Sequence, residues 1–250
     1  MSQLPSWPRP HFTASGGKPF ILFHVFGEFG DGLQPSRQKH RVGGVPAGVD
    51  VRVIETDDED LQGFIANPFI GQQLDEDPAL GEAIRNAPSA LLLQGEIDEP
   101  DTLDYLRDVV GLVCAALDAG GVGVLDMQTL TVWSPDRFRK TFLESDGPEV
   151  HEHVAILGSR EEDGRGLWLH TRGMRKFGRP DVSVRNVPEA AKQPAATLVS
   201  RLIESMALGA VVPEGQPVKM ALLPAGLVCR HGGDLEDPDF NNVHVEIRFP

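Results

Sequence analysis

With 250 residues, 40% of them hydrophobic and 24% charged, the chain has the length and composition to bury a core without metal or disulfide staples. Thirty-seven Asp and Glu against 23 Lys and Arg leave a formal net charge of −14, which repels phosphate backbones and anionic membrane surfaces and argues against a nucleic-acid partner. The two cysteines, Cys114 and Cys229, form no Cys-x-x-Cys pair, the first residues carry no basic start followed by an apolar stretch, and no apolar run reaches membrane-spanning length. A protein of the reducing cytoplasm with no membrane partner is therefore expected.

The acid is unevenly placed: residues 1–149 hold 11 basic and 24 acidic side chains, the remainder 12 and 13. Residues 1–18, with three prolines and Ser15-Gly16-Gly17, read as an extended arm, order beginning near Pro19. Phe20 to Phe26 is apolar on both alternating faces and predicts a strand covered on two sides, whereas Val49, Val51 and Val53 alternate with Asp50 and Arg52 and predict a strand with one wet face. The run Glu55 to Asp60 precedes a short helical stretch. Ala90-Leu91-Leu92-Leu93 reads as a buried strand. Leu103, Leu106, Val110, Val113, Cys114 and Leu117 then recur at three- and four-residue steps along one face of a long helix, closed by Gly120-Gly121. Short strands follow at 122–125 and 130–133, and Ser134-Pro135-Asp136 starts a helix. Strands are predicted at 150–158, 165–172 and 181–187, with a hairpin turn at Glu161-Glu162-Asp163-Gly164. A second long helix carries Leu198, Leu202, Ile203 and Met206. Three further strands are predicted after it, the last with Val243, Val245, Ile247 and Phe249 inward and His244, Glu246 and Arg248 outward. Hairpins interrupted by two long helices give an α+β fold, a two-layer sandwich of mainly antiparallel sheet. The expected division is an arm over 1–18, a β-rich subdomain or extension over 19–87 and an α+β domain over 88–250, with 19–250 as one continuous domain the alternative.

Trp168-Leu169-His170-Thr171-Arg172-Gly173-Met174, continuing through Phe177-Gly178-Arg179-Pro180-Asp181, resembles an uncharacterised bacterial family, domain of unknown function 4261. The preceding strand, long helix and Trp133-Ser134-Pro135 extend the likeness over roughly residues 88 to 210. The resemblance implies a compact α+β unit and brings no reaction, cofactor or catalytic residue with it. Gly173 and Gly178 also suit tight turns, so hairpin geometry explains much of the motif.

Three sets of residues bear on chemistry. His151 and His153, two apart on a predicted strand, share a face as metal ligands or a catalytic pair would, and His170 joins them if the hairpin register allows; His244 and Glu246 form a second such pair. The plainer reading of each is polar surface. Cys229, followed by Arg230 and His231, is a candidate nucleophile, although neighbouring strand residues point apart. Arg165, Arg172, Arg175, Lys176, Arg179 and Arg185 gather in one stretch opposed only by Asp181, a candidate anion- or partner-binding patch. Gly27-x-x-Gly30 and Gly120-Gly121-x-Gly123 lack the strand-to-helix context of a phosphate loop, and no cofactor is expected. The leading expectation is a non-enzymatic protein-interaction module of regulatory or toxin-neutralising type with a protein partner. The alternative is a metal-assisted or histidine-based hydrolase using His151, His153 and His170.

Overall fold

A computed structural model describes residues 4–30, 32–55 and 59–250. The fold is α+β, with two sheets of five strands each. The chain divides into two units, the first made of residues 1–8 and 20–149 and the second of 9–19 and 150–250.

In the first unit the strand order is β2-β3-β1-β4-β5, all neighbours antiparallel, with β1 Phe20–Gly27, β2 Val49–Glu55, β3 Ser89–Glu96, β4 Gly121–Asp126 and β5 Thr131–Trp133. β1 lies at the centre, which is why both its faces are apolar. Leu22 and Phe26 pack with Leu61, Ile70, Leu74 and Ile84 from three short helices, α1 Glu59–Ile65, α2 Pro68–Glu76 and α3 Pro78–Arg85. The opposite face meets the long helix α4 Asp104–Asp118, where Leu117 lies beside Val25 under the bare Cα of Gly121. Phe23 turns an edge to Phe138 of α5 Pro135–Phe138, followed by a π-helical turn at Arg139–Leu143. Residues 56–58 of the predicted acidic run lie outside the described residues.

The boundary expected at 87/88 is not where the units part. β3 pairs with β1 on one side and β2 on the other, so residues 20–55 and 89–133 share a sheet, and the first unit ends only at Glu149. Nor is the arm a loose tail. Trp7 is buried, its amide donates to Asp104 Oδ1 at 2.7 Å and its carbonyl accepts from Leu103 N at 2.7 Å. Proline and glycine deny residues 4–19 a regular element, as composition suggests, but not an ordered place.

The second unit orders its strands β6-β7-β8-β10-β9, with β6 Ala155–Arg160, β7 Leu167–Arg172, β8 Asp181–Val187, β9 Cys229–Gly232 and β10 His244–Arg248. All pairs are antiparallel except β8 with β10. A parallel pair needs a crossover, which contains the helix α6 Lys192–Ala207. Ala195, Val199 and Ile203 of α6 are fully buried, as are Val182, Val184, Val245 and Ile247 of the sheet. No helix among the described residues is long and apolar enough to cross a membrane.

Candidate functional site

The histidines do not sit as the alternation predicts. Val150–Glu152 is a 3-10 turn and the strand begins only at Ala155, so His151 and His153 leave the chain from a tight turn instead of sharing a strand face. His151 is exposed, whereas His153 is fully buried with its ring edge-on to Phe177 at 6.1 Å. Burial, reinforced by the Lys176 ammonium, holds the His153 imidazole well below its ordinary pKa. His170 lies on β7, where its ring stacks on Trp168 at 3.9 Å. Among the described residues no three His, Cys, Asp or Glu side chains gather as a metal site.

His170 and His244 instead enter an aromatic ladder on the sheet face carrying Trp168, Ser183 and Glu246. Trp168 donates from Nε1 to Ser183 Oγ at 3.0 Å and carries the Arg185 guanidinium 4.0 Å above its ring. Phe240, from the acidic loop before β10, turns its edge to His170 at 5.7 Å and stacks on His244 at 4.4 Å. The face expected to be wet is thus capped by a buried phenylalanine. Burial lowers the His170 pKa to about 4, against the pull of Asp239 and with the help of Arg172 and Arg185. His244 is also lowered, chiefly by burial. His170, between Trp168 and Phe240, and His244, stacked on Phe240, serve here as packing surfaces.

The six cations of the expected patch are dispersed in the same way. Lys176 is fully buried and donates from Nζ to the His153 carbonyl at 2.8 Å. Arg179, 2% exposed, donates to the carbonyls of Thr13, Gly209 and Ala210 and to Ser15 Oγ, fastening residues 13–15 and the end of α6 to the hairpin. Arg185 pairs with Glu161 at 3.0 Å and Glu246 at 3.4 Å, Arg165 with Asp163 at 2.6 Å, and Arg175 donates to the Asn241 carbonyl. Arg172 is half-buried on β7. They are not one basic surface, because a segment rich in turns aims consecutive cations in different directions.

The stretch from Trp168 to Asp181 is a framework. Gly173 and Gly178 bracket the 3-10 turn Met174–Phe177 with φ of 115° and 61°, and a Cβ on Gly178 would stand 2.6 Å from the Gly17 carbonyl oxygen. Asp181 is fully buried and accepts from Thr171 Oγ1 at 2.7 Å, Asn242 Nδ2 at 2.8 Å and Met174 N at 3.3 Å. Burial nevertheless raises its pKa to about 6, the three hydrogen bonds pulling the other way. The thiols are equally structural. Burial pushes Cys114 up to about 12 and raises Cys229, with Glu214 adding to the latter. Arg230 and His231 do not serve the Cys229 thiol: the guanidinium bonds to Glu214 and the imidazole to the Val212 carbonyl.

What the molecule does present lies along α6. Three strands are expected after this helix and two form, β9 and β10; between Gly209 and Val228 the chain has no helix or strand beyond the single bridge Pro217 to Val228. It is pinned by Gly215 N to Cys229 O at 2.8 Å, Cys229 N to Gln216 O at 2.8 Å and Val218 N to Leu227 O at 2.9 Å. The loop and α6 enclose a trough of about 540 Å³ lined by Leu198, Leu202, Val212, Val218 and Met220. A second trough, of about 650 Å³, runs on past Pro194 and Ala221 to Leu222 and shares Arg201, Lys219 and Met220 with the first. Leu222 is 86% exposed and Val211, beside the first trough, 40%. Ordered connections of such length without regular structure are commonly binding elements. None of these groove residues is marked by a motif; Pro213, Pro217 and Pro224, spaced too closely for an inner strand, are the signal that a strand reading passes over.

No protein-family model, curated protein or solved structure matches the chain.

Proposed function

We propose that this chain is a non-enzymatic protein-interaction module that takes a segment of its partner into the groove between α6 and the loop 209–228. The observation that carries the reading is the groove itself, two adjoining troughs of mixed lining in which Leu198, Leu202, Val212, Val218 and Met220 lie among Gln193, Thr197, Ser205 and Gln216, beside a leucine whose side chain is almost wholly in water. Leucine and valine side chains left open to water beside such a groove are kept where another molecule covers them. A regulatory or neutralising role suits such a module, and the family likeness of residues 88–210 is proposed to lie in the framework that holds the groove.

The test is paired capture. The wild-type chain and a Val211→Asp/Leu222→Asp variant are immobilised and exposed to native cell extract. Both substituted side chains are exposed, so the melting temperature is expected to stay within about 2 °C of wild type. Wild type is expected to retain one discrete protein in stoichiometric amount, and the variant at most a tenth of it. Equal retention by the two, or none by either, contradicts the reading.

A further inference from the structure

The groove's charges narrow the chemistry of what enters it. Arg201 and Lys219 line both troughs and so stand at the seam between them, with Leu202, Val212 and Val218 to one side and Pro194, Ala221 and Leu222 to the other. Both cations are exposed, and among the described residues neither has a hydrogen bond or ion pair. The loop's own carboxylate does not answer them: Glu214 is taken by Arg230 at 2.9 Å and by the His231 amide at 2.6 Å, and these bonds hold it below the usual carboxylate range. The seam therefore presents two uncommitted positive groups between two troughs that offer aliphatic side chains and, beyond these cations, only the neutral polar groups of Gln193, Thr197, Ser205 and Gln216, on a chain whose net charge is −14.

Resting on the proposed protein-binding role, we infer that the groove recognises a segment with one or two Asp or Glu at its centre and apolar side chains on both flanks. The carboxylates meet Arg201 and Lys219, with Arg giving a bidentate bond and Lys a point charge. The flanking side chains fill the two troughs and supply the apolar burial. A basic segment is excluded by the same two cations, which makes the seam a device of specificity as much as of affinity.

The inference is tested with a displayed library of randomised 16-residue segments selected against the intact chain. Enriched sequences are expected to carry Asp or Glu between Leu, Ile, Phe or Met, and to bind an Arg201→Glu/Lys219→Glu variant at least tenfold more weakly. Raising salt from 50 to 500 mM is expected to weaken wild-type binding and leave the variant's residual binding unchanged. Enrichment of uncharged or basic segments, or equal binding to the variant, overturns the charge assignment. So does self-association of the wild-type chain that the variant loses, since a second copy would then be the occupant. If this charge-reversed variant keeps the protein captured by wild type, the inference fails while the binding role stands; if wild type captures nothing, both fail.

Discussion

Replacement of Arg179 by alanine is expected to destabilise the second unit by roughly 3–5 kcal/mol. The guanidinium is 2% exposed and gives its hydrogens to Ser15 Oγ and to the carbonyls of Thr13, Gly178, Gly209 and Ala210. Truncation leaves that group of acceptors facing one another in a buried space and removes the bond between residues 13–15, the hairpin and the end of α6. Lysine restores only part of the loss, because three donors on one nitrogen cannot reach a fork of carbonyls spread around a plane. Equilibrium denaturation measures the cost, and limited proteolysis should cut Arg179→Ala within residues 9–19 much faster than wild type. A loss under about 1 kcal/mol, with the arm still protected, would show the network to be incidental.

Acid is expected to weaken the fold between pH 6.5 and about 4. His170 titrates near 4 in the native chain, and His153 and His244 are also lowered, so across this window the unfolded chain binds more protons than the native one. Their stabilisation is complete above the unfolded value near 6.5 and is lost as pH falls through the window. Asp181 has the opposite sign: with its pKa raised to about 6, the native state holds a proton that the unfolded state has released, so its contribution falls as pH rises from about 4 to 6. Three imidazoles against one carboxyl leave the net slope set by the histidines. Urea denaturation at pH 7.5, 5.5 and 4.5 should give a falling midpoint. His170→Phe, which keeps an aromatic ring on Trp168, should flatten that fall; an unchanged slope would remove His170 as its source.

The groove and the buried framework are unequally legible in sequence. Strands at 20–27 and 89–96 and the helix at 104–118 are readable because burial on one or two faces imposes a pattern on the residues themselves, whereas the strand at 49–55 is readable from its alternation although none of its residues is buried and Val53 is exposed. Thr171, Asp181 and Asn242 meet through sheet register and a loop, so nothing local marks them as partners. Alternation predicts His151 and His153 on one face, but a 3-10 turn replaces the strand there and spends one ring in the core. Six clustered cations read as a patch only while their directions are unknown; Lys176 and Arg179 are buried in and beside the turn bracketed by Gly173 and Gly178, while Arg165 sits exposed in the hairpin loop before β7. Arg201 and Lys219 escape a sequence reading for the converse reason. They are far apart in the chain, and only the return of the loop 209–228 along α6 brings them to one seam.

The most direct measurement places a photoreactive p-benzoylphenylalanine at position 222, beside the groove, and in a second preparation at position 53, an exposed site on β2 of the other unit. After irradiation in native extract, position 222 should yield a single covalent adduct with a second protein, and position 53 none. Adducts of equal yield from both sites, or none from position 222, would contradict a partner seated along α6.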